Sequence, residues 1–300
     1  MAIRERFGIM PALITPLTPG GKVMVDSLRR LIDYTIEGGV AALFVLGTTG
    51  EFYGIEMDEK RKLVEETVRH NNGRVPVYVG VGSVTTAECV RTTEMVKACG
   101  VSGISVLTPY FISPTQDELY AHFTAIAKAA GDMDTILYNN LDRTHVDIGV
   151  DLAVKLARVD NIVGIKDSTG DMTRMGEYIR RTREFGFRVF SGRDTLILAN
   201  LVYGGAGAVA ASANIVPRLV TGIFDSFMAG DMEKAREYQY QLAPLRIAFG
   251  LGTFPVVMKE AIRMVGIDTG VTAPPVGEMS PENKEKLAAI LRELGVYATR

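Results

Sequence analysis

Three hundred residues, 47% hydrophobic and 23% charged, suffice for one large core or two ordinary ones. A net charge of −2, with Lys and Arg scattered along the chain, excludes the basic stripe that a nucleic-acid binder needs. No apolar run approaches about 18 residues, which excludes a membrane-spanning helix. The opening residues, MAIRERFGIM, lack the apolar stretch and cleavage site of a signal peptide, so a cytoplasmic protein is expected.

In chain order, β-branched or apolar runs predict strands at 9–15, 41–46, 75–81, 103–107, 135–139, 162–166, 187–191 and 207–212. Amphipathic stretches separate them. DSLRRLIDYTIEGG, after the first strand, is expected to open on Asp26 as N-cap and to close on Gly38 and Gly39. DEKRKLVEETVRHNNG follows the second. Cys89 and Cys99 fall on one predicted helix, too far apart along its axis to bridge, and read as reduced thiols. The three histidines, His70, His122 and His145, are scattered and show no metal-ligand spacing.

Eight strands alternating with helices over about 225 residues form the pattern of a closed (β/α)8 TIM barrel. A doubly wound open sheet is the competitor, but ITPLTPGGK after the first strand is not the GxGxxG turn such sheets carry. Residues 1–230 are therefore expected as a catalytic barrel. Residues 231–300 are expected as an appended C-terminal helical layer packed on it, with SPENKEKLAAILRELG starting on a Ser-Pro signal.

In such a barrel, chemistry sits at the C-terminal ends of the strands. The sixth strand, IVGIK, ends at Lys166. Period-two alternation puts Lys166, Gly164 and Ile162 inside, and Val163 and Ile165 toward the helices. The fifth strand ends at Tyr138. The turn GTTGE after the second offers the hydroxyls of Thr48 and Thr49 and free backbone N–H groups from Gly47 onward. Singly, each has a plain explanation: a lysine snorkels, a tyrosine is core with a wet tip, GTTG is a turn. Together they suit one chemistry. A desolvated amine loses its proton more easily than the ordinary lysine pKa of about 10.4 implies. It can then attack a ketone and form a Schiff base.

The motifs GTTGE, LYNNLDRT, GIKDSTGD, SGRD and GGAGAVAASANIVP resemble, in order and over nearly the whole chain, those of the dihydrodipicolinate synthase/N-acetylneuraminate lyase family of Schiff-base pyruvate aldolases. The resemblance implies a barrel with C-terminal helices, assembled as a homotetramer. It implies a lyase acting on pyruvate or a related 2-oxo acid and an aldehyde, with no cofactor or metal beyond the covalent imine. Lys166 then matches the Schiff-base lysine, Tyr138 the proton shuttle, and Thr48 and Thr49 the carboxylate grip, with Gly47 beside them. Val209 matches a residue lining the pyruvate pocket through its backbone. Arg143 matches an arginine that binds a distal carboxylate, and Arg193 and Asp194 of SGRD are expected beside it.

The departures are specific. Phe111 stands where the synthases place a tyrosine that reaches the neighbouring subunit's site and completes a proton relay. YNVP becomes Tyr138-Asn139-Asn140-Leu141. Thr195 and Ala211 replace lyase residues that hold a sugar chain, and Met57, Lys60 and Val84 replace polar positions of a lysine-feedback pocket, so insensitivity to lysine is expected. The expected reaction is cleavage or dehydration of a short 4-hydroxy-2-oxo or 2-keto-3-deoxy acid. The alternatives are condensation of pyruvate with aspartate semialdehyde to 4-hydroxy-tetrahydrodipicolinate, or a 2-keto-3-deoxy acid dehydratase. A metal-dependent aldolase would need clustered imidazoles and carboxylates. A non-catalytic 2-oxo-acid-binding barrel would not need Lys166, Tyr138 and Thr48 together.

Overall fold

The computed structural model describes residues 8–298. The reading of the N-terminus as leaderless rests largely on residues outside that range. Eight parallel strands form one sheet: β1 (Gly8–Pro11), β2 (Leu43–Val45), β3 (Val77–Val81), β4 (Gly103–Leu107), β5 (Asp134–Asn139), β6 (Ile162–Asp167), β7 (Arg188–Ser191) and β8 (Gly207–Ala210). The order runs β1-β8-β7-β6-β5-β4-β3-β2, and a parallel bridge from Ala12 to Phe44 closes the ring between β1 and β2. Helices α1 (Val25–Glu37), α2 (Met57–Asn71), α3 (Thr86–Ala98), α4 (Gln116–Ala130), α5 (Leu141–Thr144), α6 (Val150–Leu156), α7 (Met172–Thr182), α8 (Ile197–Val202) and α9 (Pro217–Met228) alternate with the strands. Then come α10 (Met232–Ala248), α11 (Val256–Met264) and α12 (Pro281–Glu293). This is the expected (β/α)8 barrel with extra C-terminal helices. Among the described residues, no helix is long and apolar enough to cross a membrane.

Two local readings change. Met24, not Asp26, is the N-cap of α1, and it makes no side-chain cap bond; Asp26 lies in the first turn, where its charge meets the positive end of the helix. The first strand stops at Pro11 instead of running to residue 15. Beyond it the chain turns to other partners: Ile14 N–H donates to Asn214 Oδ1 (3.1 Å) and the Thr15 hydroxyl to the Gly50 carbonyl (2.7 Å).

The barrel is filled by Met10, Ala12, Ala42, Phe44, Tyr78, Ile136, Val163, Phe190, Ala206 and Val209. A second, larger core lies between strands and helices. Val163 belongs to the first and Ile162 to the second, the reverse of strict alternation. The cause is a β-bulge. Thr135 of β5 faces Ile162 but Ile136 faces Gly164, so Val163 is an extra residue in β6. Above the bulge the alternation resumes, with Ile165 outward and Lys166 inward. Gly164 has no room for a side chain, since a Cβ there would lie 2.4 Å from the Arg188 carbonyl oxygen of β7.

Candidate active site

Lys166 and Tyr138 are register partners across β5 and β6, which is why they meet. The Lys166 ammonium nitrogen lies 4.0 Å from the centre of the Tyr138 ring and 5.2 Å from that of Phe44. Lys166 is only 4% exposed, and among the described residues no carboxylate pairs with it. The Tyr138 hydroxyl lies 3.4 Å from Thr48 Oγ1 and accepts from Asn140 Nδ2 at 2.8 Å. Burial works to raise the Tyr138 pKa. The charge of Lys166 and hydrogen bonds with Thr48, Ser168 and Lys166 outweigh it and hold the phenol below its ordinary value.

One register step beyond, a polar network fixes the same two strand ends from outside the barrel. Asn139 Nδ2 donates to Asp167 Oδ2 and to Asp147 Oδ1, both at 3.0 Å. Asp167 also accepts from the Thr169 N–H (3.0 Å) and hydroxyl (2.6 Å), and burial raises its pKa against these bonds. Such a filled network specifies one arrangement of the strand ends.

The GTTGE turn is built on close approaches. A Cβ on Gly47 would come within 2.5 Å of the Phe44 ring, and one on Gly50 within 2.9 Å of the Leu13 carbonyl oxygen. Glu51 sits in the left-handed region at φ 56° and is fully buried. Its Oε1 pairs with Lys259 Nζ of α11 at 2.5 Å, and its Oε2 accepts from Ala273 N–H at 2.6 Å. Lys259 also donates to the Val271 carbonyl at 2.5 Å. The turn that carries Thr48 and Thr49 is thus bolted to the C-terminal helices.

Lys166, Tyr138, Thr48, Thr49, Arg143, Arg193, Asp194 and Val209 share one cavity of about 180 Å³ at the strand ends. Gly47 does not line it. Asp194 reaches it, but its carboxylate accepts from the N–H (2.8 Å) and hydroxyl of Ser212, holding the turn after β8. Arg193 is tied to Asp142 and donates to the Ser168 carbonyl at 2.7 Å. Arg143 stacks 5.7 Å from the Phe254 ring centre and makes no ion pair among the described residues. Ser168, Asn140, Asp142, Arg246, Phe249 and Phe254 also line the cavity, and sequence reasoning gave them no role in it. The last three come from the C-terminal segment, so that layer completes the site as well as packing on the barrel. A larger cleft of about 720 Å³ between α1, α9, α10 and α12 contains none of the strand-end groups. The smaller cavity is where a buried amine, a phenol and hydroxyl donors converge.

Among the departures, Phe111 has a left-handed backbone (φ 74°), rare for an aromatic residue, and its ring is 95% exposed. Ala211 lines the cavity with no polar group to offer. Among the described residues, no three His, Cys, Asp or Glu side chains gather where they could hold a metal ion.

The model of the dihydrodipicolinate synthetase family matches residues 5–294. A 4-hydroxy-tetrahydrodipicolinate synthase from Methanosarcina mazei is 38% identical over 289 residues, covering 96% of this chain and 98% of the relative. A dihydrodipicolinate synthase from Aquifex aeolicus superposes with a TM-score of 0.93 at 36% identity, covering 98% of this chain and all of that one. A prophage protein of the same family from E. coli K12, solved with pyruvate, gives a TM-score of 0.93 at 29% identity over 97% of this chain and 99% of its own. The extent of these matches and the pairing of Lys166 with Tyr138 agree: this chain belongs to the dihydrodipicolinate synthetase family, and it is a lyase that works through a lysine Schiff base.

Proposed function

We propose that this chain joins pyruvate, held as an imine on Lys166, to aspartate semialdehyde. The observation that carries the reading is the buried Lys166 amine against Tyr138, in a cavity also lined by Arg143, which makes no ion pair among the described residues. The amine adds to C2 of pyruvate, and the ketone oxygen takes up protons and leaves as water, giving the imine. Tyr138, with Thr48, carries protons between the nitrogen and the departing oxygen. Loss of a proton from C3 gives an enamine, whose carbon attacks the aldehyde as the aldehyde oxygen takes up a proton and becomes a hydroxyl. The nitrogen again becomes an iminium, and attack of the semialdehyde's own amine on that iminium carbon closes the ring and expels Lys166. Thr48 and Thr49 hold the pyruvate carboxylate. Val209 walls the pocket, and Arg143, with Arg193 beside it, takes the distal carboxylate. The imine is its own electron sink, so the chemistry asks for no added cofactor. Residue type and sequence pattern put cleavage of a short 4-hydroxy-2-oxo or 2-keto-3-deoxy acid first; the named reactions of the relatives reverse that order.

One observation favours the second reading: Phe111 offers no hydroxyl to a proton relay, which general acid–base magnitudes put at about 10²–10⁴-fold. We further propose a cytoplasmic homotetramer. Supporting the assembly are the exposed, left-handed Phe111 and the exposed apolar residues Val202, Tyr203, Tyr240 and Ile247 on and beside α8 and α10. Borohydride reduction in the presence of pyruvate should add one pyruvate-derived mass to the Lys166 peptide. A label elsewhere ends the imine reading. Aspartate semialdehyde should then give the highest kcat/KM of an aldehyde and 2-keto-3-deoxy acid panel. If a 4-hydroxy-2-oxo acid wins instead, the second reading stands, and Phe111→Tyr should raise turnover with aspartate semialdehyde.

A further inference from the structure

We propose that Asn140 is a positioning residue for this reaction: its carboxamide holds the Tyr138 phenol by donating to the phenol oxygen, a role that a relay hydroxyl at residue 111 cannot fill in this chain. The inference rests on the imine reading above and adds a residue to it.

Asn140 Nδ2 lies 2.8 Å from the Tyr138 oxygen, shorter than the 3.4 Å from Thr48. Asn140 lines the cavity and is only 8% exposed, so water competes little for this bond. The plain alternative is that Asn140 is there as a helix cap, since asparagine is among the best N-cap residues. It does occupy the N-cap of α5, but its side chain makes no cap bond. The backbone does that work: the Asn140 carbonyl accepts from the N–H groups of Arg143 (2.9 Å) and Thr144 (3.0 Å). The side chain has turned away from its usual partners to meet the phenol.

The chemistry of the bond follows from its direction. A donated N–H occupies one lone pair of the phenol oxygen and turns its O–H toward the remaining acceptors, Thr48, Ser168 and the reacting atoms. It also favours the phenolate whenever Tyr138 has given its proton up, because hydrogen bonds to charged groups are the stronger ones. A carboxamide does not pass protons on. Asn140 therefore fixes the orientation of the shuttle without joining the path.

The test uses two variants of the full chain. Asn140→Asp keeps the shape and the cap while replacing the donor by an acceptor; Asn140→Val removes the polar group. The charged groups facing or sharing the cavity with Tyr138 are Lys166 on β6, Asp142 and Arg143 after β5, Arg193 and Asp194 after β7, and Arg246 on α10, and both variants leave all of them in place. Asn140→Asp should lower kcat by about 10- to 100-fold, the scale of one hydrogen bond to a charged group. KM for pyruvate should stay within about twofold. The limb of the pH–rate profile set by Tyr138 should move to higher pH, more in Asn140→Asp than in Asn140→Val. If both variants keep the wild-type kcat and pH profile while the wild type still traps pyruvate on Lys166, the Asn140 amide does not position the phenol and the inference is overturned alone. If the wild type traps no pyruvate, the imine reading and this inference fall together. Should Asn140→Val not fold, Asn140→Asp decides by itself.

Discussion

Lys166 and Lys259 are buried to almost the same degree, at 4% and 1% exposure, yet their surroundings differ in one decisive respect. Lys259 has a carboxylate, Glu51 Oε1 at 2.5 Å, and a carbonyl, Val271 at 2.5 Å. Lys166 has two aromatic faces and a phenol. Burial pulls the Lys259 pKa below its ordinary value while Glu51 pulls it back up. The pair gives the fold a fixed joint, with the nitrogen held between the carboxylate and the carbonyl. Lys166 has attractive ring faces and the Tyr138 phenol, but among the described residues no counter-carboxylate ties its nitrogen down. Depth alone does not decide what a buried lysine can do; on the proposed reading, it is the lack of a carboxylate partner that leaves Lys166 available as the nucleophile.

The sharpest way to break this contrast is to put methionine at each position. Lys166→Met should lose turnover down to the uncatalysed rate, with Tm unchanged or raised, because an apolar chain suits a site that lacks a carboxylate. Lys259→Met should do the opposite. It leaves Glu51 buried and unpaired, costing about 3–5 kcal/mol in a urea or thermal melt, while kcat below the melting range stays near wild type. If Lys259→Met were harmless and Lys166→Met unstable, the contrast would be wrong.

A smaller effect should come from Glu51→Gln combined with Lys259→Met. Replacing both charges removes the desolvation cost together with the attraction, so the double variant should recover most of the stability lost by Lys259→Met alone. KM for pyruvate should rise in both, because the Thr48–Thr49 turn loses its bolt to α11. An unchanged KM would mean that the turn holds its shape without that joint.

The smallest expected effect concerns a third buried base. His122 accepts from or donates to Thr86 through Nδ1 (2.9 Å), and its Nε2 has no partner among the described residues. Burial lowers its pKa from 6.5 to about 4. The unfolded chain therefore binds this proton more readily than the folded one, so the contribution is complete above about pH 6.5 and is lost as pH falls toward about 4. Urea midpoints measured down through that window should fall more steeply for the wild type than for His122→Gln. Glu59, held below its usual value by the Val23 N–H and by Lys22, adds a slope of the same sign that both proteins share.

Much of this was legible in residue order. The eight strands follow from β-branched runs between amphipathic stretches, and Lys166 and Tyr138 stand out as polar groups at strand ends. What escaped depends on the third dimension. Ile162 and Val163 are both β-branched, and nothing in an alternating pattern marks which is the extra residue of a bulge. Arg246, Phe249 and Phe254 sit on segments whose periodicity says helix or loop, not which cavity they will roof. Asp194 was placed at the site by the resemblance of SGRD, but its carboxylate is spent on Ser212. Asn140 is noticeable in sequence only as a departure, because the amide could as well have capped its own helix.

The bolt between Glu51 and Lys259 has a consequence in time. On a ribosome adding about 5–20 residues per second, Glu51 is made some 10–40 s before the lysine that will neutralise it. Through that interval the first two strands already exist, but their turn cannot close over a dry carboxylate without large cost. The nascent chain must keep Glu51 wet, and with it the turn of Thr48 and Thr49 open, until α11 emerges. On the proposed reading of Thr48 and Thr49 as the carboxylate grip, binding of a 2-oxo acid waits until nearly the whole polypeptide has been synthesised.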